Sequence, residues 1–179
     1  MTRKARILAG GFATAALCFG TAGTGVRAQG ANPTMDSIKS QYASVKGYLA
    51  KTVAKVPEDV LAFKPTPEVR SFGQILAHIA DSQFGMCGTA AGEKKPSDFE
   101  KTATTKAALT KAIADSTAYC DSVIAGMDDK KGAEVTKFFF GPTTRAMVLS
   151  FNVSHDFEHY GNLVTYMRLK GIVPPSSEQ

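Results

Sequence analysis

Apolar residues recur three and four apart at Met35, Ile38, Tyr42, Val45, Leu49 and Val53, with Val56 behind them. That spacing draws a stripe along one face of a helix. Asn32 offers a cap, Pro33 suits the first turn and Pro57 ends the run. A second stripe follows at Phe72, Ile75, Ile79, Gln83 and Met86. Ser71 with Gln74 three residues on reads as a capping box, and Gly92 and Pro96 mark the stop. A third stripe, from about Thr104 to Met127, passes through Leu109, Ile113, Ser116, Cys120 and Val123. The fourth opens after Gly141-Pro142 near Thr143 and runs to Lys170, where Gly171 and Pro174-Pro175 stop it. Apart from the short run Phe138-Phe139-Phe140, no segment alternates with the period of a strand. Four stripes predict an all-α protein, a four-helix bundle.

The connectors constrain its topology. Segments 57–70, 92–103 and 128–142 are longer than a tight helical hairpin needs. The connector 92–103 reaches roughly 40 Å at about 3.3 Å per residue, against roughly 30 Å for a helix of this length. The second and third helices are therefore free to run parallel. Cys87 lies 16 residues after Ser71 and Cys120 lies 16 after Thr104, so parallel helices hold them level. An antiparallel pair would part them by roughly 18 Å, beyond any disulfide.

The N-terminus changes how charge and cysteine are read. Arg3, Lys4 and Arg6 precede an apolar, Ala- and Gly-rich run from Ile7 to about Gly25, and Val26-Arg27-Ala28 offers small side chains for a peptidase. Residues 1–28 read as a secretory signal cleaved after Ala28, leaving one domain over residues 29–179. The Gly and Thr content makes a retained anchor a poor span, and bulky Leu17 argues against lipidation at Cys18. The chain has 21 Lys and Arg against 16 Asp and Glu. Four of those cations fall within the acid-free signal, so the remainder is nearly neutral and a nucleic-acid surface is not expected. No later run spans a bilayer, so no stable membrane insertion is expected after cleavage. Loss of Cys18 leaves Cys87 and Cys120, and export to a periplasmic or secreted location favours their pairing over two buried thiols.

Three histidines remain: His78, His155 and His159. The last two are four apart and share a face of the fourth helix, in the row Val148, Asn152, His155, His159, Asn162 and Tyr166. Imidazoles on such a seam are costly unless their nitrogens are satisfied. His78 lies roughly 20 Å before Ala91, and the midpoint of the pair roughly 21 Å after Thr143. With a parallel central pair, all three reach one level; an alternating order would separate them by roughly 10 Å. An H-x-x-x-H pair alone also fits two surface or packed histidines. A third at matching height, with none left over, points to a divalent metal site with an open position.

His155-Asp156-Phe157-Glu158-His159 also fits the inverted zincin peptidase pattern. Such enzymes take a third ligand well downstream and have larger domains with sheets, so a peptidase is not expected. Glu158 flanks the histidine row as a candidate proton carrier or orienting acceptor, against the reading of a solvated carboxylate. Asp81, one turn after His78, is a candidate to orient it or lend an oxygen, against the reading of a surface acid.

S-F-G-Q-I-L-A-H-I-A-D at Ser71–Asp81 and H-D-F-E-H-Y-G-N-L-V-T-Y-M-R-L-K-G-I-V-P-P at His155–Pro175 resemble the DinB-like (DinB/YfiT) family of metalloenzymes. The resemblance covers nearly all of the mature chain. It implies an up-down-down-up bundle, and it implies that His78, His155 and His159 bind a divalent ion, commonly zinc or nickel. Relatives implied by it are thiol S-transferases, thiol-dependent isomerases or hydrolases, with others of no known activity. Two departures stand out: most relatives are cytosolic, and a Trp common near the first histidine is missing here, where the chain has no Trp.

The expected function is a metal-dependent enzyme that activates water or a thiol against a small electrophile, with Glu158 or Asp81 assisting. The alternative is a non-catalytic bundle that holds a metal or ligand without turnover; a purely structural metal is a third reading. Phe138, Phe139 and Phe140 are expected to plug one bundle end, with a substrate-facing lid as the other reading. Tyr160, Tyr166 and Arg168 are expected in packing and surface pairs, with lining of the cleft as the other reading. Residues 93–106 are expected as a solvated connector. A homodimer is compatible with a bundle, though no feature of the sequence demands one.

Overall fold

The computed structural model describes residues 31–178; the expected signal segment lies outside them. The long helices are α1 (Pro33–Lys55), α2 (Phe72–Ala91), α4 (Lys106–Ala125) and α6 (Arg145–Leu169). Between them lie two single-turn helices, α3 (Phe99–Thr102) and α5 (Asp129–Gly132), and a hairpin of β1 (Val135–Phe138) and β2 (Gly141–Thr144).

The helix starts follow the sequence chemistry. Ser71 accepts from the Gln74 amide while the Gln74 side chain accepts from the Ser71 amide, a complete capping box. Thr105 and Thr144 cap α4 and α6 with their hydroxyls alone, which accept from the Ala108 and Met147 amides. At the end of α2, Gly92 takes φ +84, a left-handed turn that lacks the Cβ penalty of other residues.

Cross-helix contacts give the directions. Tyr48 of α1 stacks on Tyr160 of α6 at 5.0 Å, while Met35 and Ala146, near the two helix starts, both flank Gly132; α1 and α6 are parallel. Gln83 meets Ser116 and Cys87 meets Cys120, so α2 and α4 are parallel too. Tyr166 donates to the Arg70 carbonyl at one end, and the Arg145 guanidinium donates to the Ala90 carbonyl at the other. Helices α2 and α6 are therefore antiparallel, and the bundle is up-down-down-up. Cys87 and Cys120 form a buried disulfide with their Cα atoms 5.4 Å apart. No helix of the described residues is long and apolar enough to cross a membrane.

Two expectations need correction. The segment before α6 is an antiparallel hairpin pairing Val135 with Thr144 and Phe138 with Gly141, where the sequence suggested only a connector and a short aromatic run. Its aromatics do not plug the bundle end: Phe139 is 76% and Phe140 51% exposed. They cluster with Phe138 and with Phe151 of α6 at centroid distances of 4.4–6.0 Å.

Candidate metal centre

Helix α2 presents His78 and α6 presents His155 and His159 into the same groove. One ligand-capable nitrogen from each ring can be chosen so that all lie within 4.8 Å of one another. The Nε2 atoms of His155 and His159 are 3.1 Å apart. Ring centroids of His78 lie 5.2 Å from His155 and 4.8 Å from His159. All three are half-buried. Burial, helped by the charges of His159, His78 and Arg70, pushes the His155 imidazole down to about 4. Burial and the charge of His78 lower His159 as well, against an opposing pull from Glu158. Those two rings are therefore neutral near pH 7, with lone pairs available.

The donor set fits a divalent ion. Nitrogens held about 2.0–2.1 Å from a tetrahedral ion stand roughly 3.3 Å from each other, close to the observed 3.1 Å. The His155 Nδ1 is buried with no partner among the described residues, which leaves packing and the Nε2 contact with His159 to hold that ring.

The surroundings separate the candidate acids. Asp81 does not reach His78: its two oxygens accept from the amides of Phe99 and Glu100, both at 2.9 Å. The carboxylate that touches His78 is Glu100, whose Oε2 lies 3.3 Å from Nδ1 and whose Oε1 accepts from Arg70 Nε at 2.8 Å. Partial burial opposes its charge, but Arg70 and His78 outweigh that and hold the Glu100 carboxyl below its ordinary range. The expectation of a merely solvated connector over 93–106 is thus corrected at Glu100. Glu158 is exposed beside His159.

The innermost row of α6 also differs from the expected one. It follows Val148 and Asn152 as expected and then passes through fully buried Asp156 rather than through the histidines. Asp156 accepts from Gln83 Nε2 at 2.8 Å, and Gln83 in turn accepts from Ser116. Burial pushes the Asp156 carboxyl up to about 8 despite the Gln83 hydrogen bond. Tyr160 packs as expected, accepting from the Ser176 amide. Tyr166 is largely packed, but it also borders the cavity.

A cavity of about 760 Å³ opens against His159, lined among others by Lys64, Arg70, Gln74, Glu100, Asn162 and Tyr166. On the hairpin side, Ser82, Met86, Phe138 and Phe139 border a second, more apolar groove of about 450 Å³. Ser82 lies one turn from His78, and Phe151 of the aromatic cluster one turn from His155.

Residues 41–163 match the DinB superfamily. No curated protein matches the chain. In structure it resembles a DinB-like protein from Bacillus cereus ATCC 10987, with TM-score 0.67 and 17% identity over 78% of this chain and 95% of that one. A DinB-like protein from Bacillus subtilis gives 0.61 and 16% over 75% and 92%. The mycothiol-dependent maleylpyruvate isomerase gives 0.57 and 12% over 74% and 65%. At these identities the likeness is one of fold.

Proposed function

The chain belongs to the DinB superfamily, and from that premise we propose that it is an exported metal-dependent enzyme acting on small electrophiles, of the hydrolase or thiol S-transferase type. The observation that carries this reading is the convergence of three imidazoles from two helices at the edge of an open cavity. A divalent ion held by His78, His155 and His159 supplies Lewis acidity toward a water, thiol or carbonyl group. Neutral ligands leave the ion its full charge. Zinc and nickel are the ions proposed.

The chain's own residues do the rest. The cavity wall of Lys64, Arg70, Asn162 and Tyr166 offers polar groups to orient a small substrate. Glu158, exposed beside His159, is the proposed proton carrier between the site and solvent. Asp81, with both oxygens held by backbone amides, is assigned a structural place rather than a proton-transfer role in this reading. The disulfide supports an oxidising, periplasmic or secreted location for the mature chain, and residues 1–28 supply its address.

One observation favours a second reading, a bundle that binds metal or ligand without turnover. Among the described residues, the only carboxylate in hydrogen-bonding contact with an imidazole is Glu100, and Arg70 holds it too. Screening the metal-loaded protein with thiol plus electrophile, and with ester and amide substrates, decides between the two. Turnover that disappears in His78→Ala supports the enzyme; ligand bound tightly and recovered unchanged supports the binding module.

A further inference from the structure

Glu100 stands in a connector dense in charge, between Glu93, Lys94, Lys95 and Asp98 on one side and Lys101 and Lys106 on the other. Nothing in that pattern separates it from its neighbours; its placement does. Both Asp81 oxygens receive the first amides of α3, at Phe99 and Glu100. The Phe99 ring packs against Phe84 of α2 at 5.9 Å, and Phe84 stacks on Tyr119 of α4 at 5.4 Å. These contacts clamp the connector onto α2 beside the His78 turn. Glu100 then divides its two oxygens between Arg70 Nε and His78 Nδ1.

The consequence is chemical. A ring nitrogen facing a carboxylate carries the proton, so the other nitrogen of His78 keeps its lone pair. Arg70 occupies the second oxygen, which keeps the carboxylate charged and on the Nδ1 side of the ring. Among the described residues the other two imidazoles have no carboxylate in hydrogen-bonding contact. His159 Nδ1 stands 3.5 Å from the Asn162 amide nitrogen, and His155 Nδ1 has no partner.

We propose that Glu100 is the positioning residue for His78: it fixes the Nδ1–H tautomer, aims Nε2 at the ion and raises its basicity, while Asp81 acts on the site only by holding Glu100 in place. This rests on the reading of the three histidines as a metal centre. A carboxylate behind a ligand imidazole is worth roughly 10–100-fold in metal affinity.

The test uses the full chain, zinc competition against a chromophoric chelator, and imidazole nitrogen-15 spectra of the metal-free protein. Glu100→Ala is expected to weaken zinc roughly 10–100-fold. Glu100→Gln, which keeps an acceptor and the side chain's shape, recovers part of that and serves as the folding control. Asp81→Asn weakens zinc less, and the Asp81→Asn/Glu100→Ala double variant binds no worse than Glu100→Ala alone. In the metal-free spectra His78 shows Nδ1 protonated in the native chain and a redistributed proton in Glu100→Ala, with His155 and His159 unmoved. Native zinc affinity and an unchanged His78 tautomer in Glu100→Ala overturn the proposal. So does a double variant whose loss is the product of the two single losses. Failure of the native chain to take zinc overturns the metal-centre reading itself, and the tautomer spectra then still report whether Glu100 governs His78.

Discussion

Two polar clusters interrupt the apolar interior of this bundle, side by side on α6. One is the belt of Gln83, Ser116, Asn152 and Asp156, all fully buried. The other is the trio of His78, His155 and His159, half-buried at the edge of a cavity. The belt is a chain in which Ser116 donates to Gln83 and Gln83 donates to Asp156 Oδ2, with Asn152 Oδ1 and Asp156 Oδ1 left without partners among the described residues. The disulfide lies one turn farther along the same two helices. Two of the histidines face each other with their Nε2 atoms 3.1 Å apart, while the buried His155 Nδ1 has no partner among the described residues. A polar group in a core therefore does not by itself mark a site. Hydrogen-bonded chains far from solvent specify packing; convergent lone pairs with an open approach specify chemistry.

Mutations on either side should separate along that line. The largest effect is expected at the open cluster: His155→Ala lowers zinc affinity by more than the roughly 100-fold ceiling for an outer partner, while the melting temperature of the metal-free protein barely moves. Competition titration and a thermal scan check both halves. Removing the disulfide with Cys87→Ala/Cys120→Ala acts on the opposite axis. The closed loop spans a sequence separation of 33, and its loss costs about 4 kcal/mol in chain entropy, read by denaturant unfolding, with zinc affinity kept in the folded fraction.

Asp156 gives the belt a pH signature. Its folded carboxyl is pushed up to about 8 from 3.8, so the folded protein holds the proton longer than the unfolded chain does. Its stabilising contribution is complete below the unfolded value and is lost as pH rises toward 8. Between pH 5 and 8 the native protein is expected to lose on the order of a few kcal/mol relative to Asp156→Asn. Parallel melts of the two proteins across that range check it; a constant difference contradicts it. The smallest effect expected is from Gln83→Ala, about 2 kcal/mol from the hydrogen bonds that Ser116 and Asp156 lose, again with zinc binding unchanged.

Most of the bundle was legible because helical spacing, caps and connector length are local properties. The level of Cys87 with Cys120, and of His78 with the later pair, followed from counting residues along rods. Three features escaped for physical reasons. Which row of α6 faces inward depends on how that helix rotates against its neighbours; a step of one residue turns the wheel by about 100°, enough to exchange His155 for Asp156. Glu100 sits among like residues, and only the Asp81 clamp distinguishes it. The hairpin has short strands, V-T-K-F and G-P-T-T, with too little alternation to stand out. Its aromatics were expected inside because large apolar side chains usually are, yet Phe139 and Phe140 stand outside beside the second groove.

The most direct test of the central claim is X-ray absorption at the metal edge of the zinc-reconstituted full chain. The expected shell is three imidazole nitrogens at about 2.0–2.1 Å with a single oxygen as fourth donor and no sulfur. An oxygen-only shell, sulfur scattering, or the same three-imidazole pattern surviving in His155→Ala would contradict it.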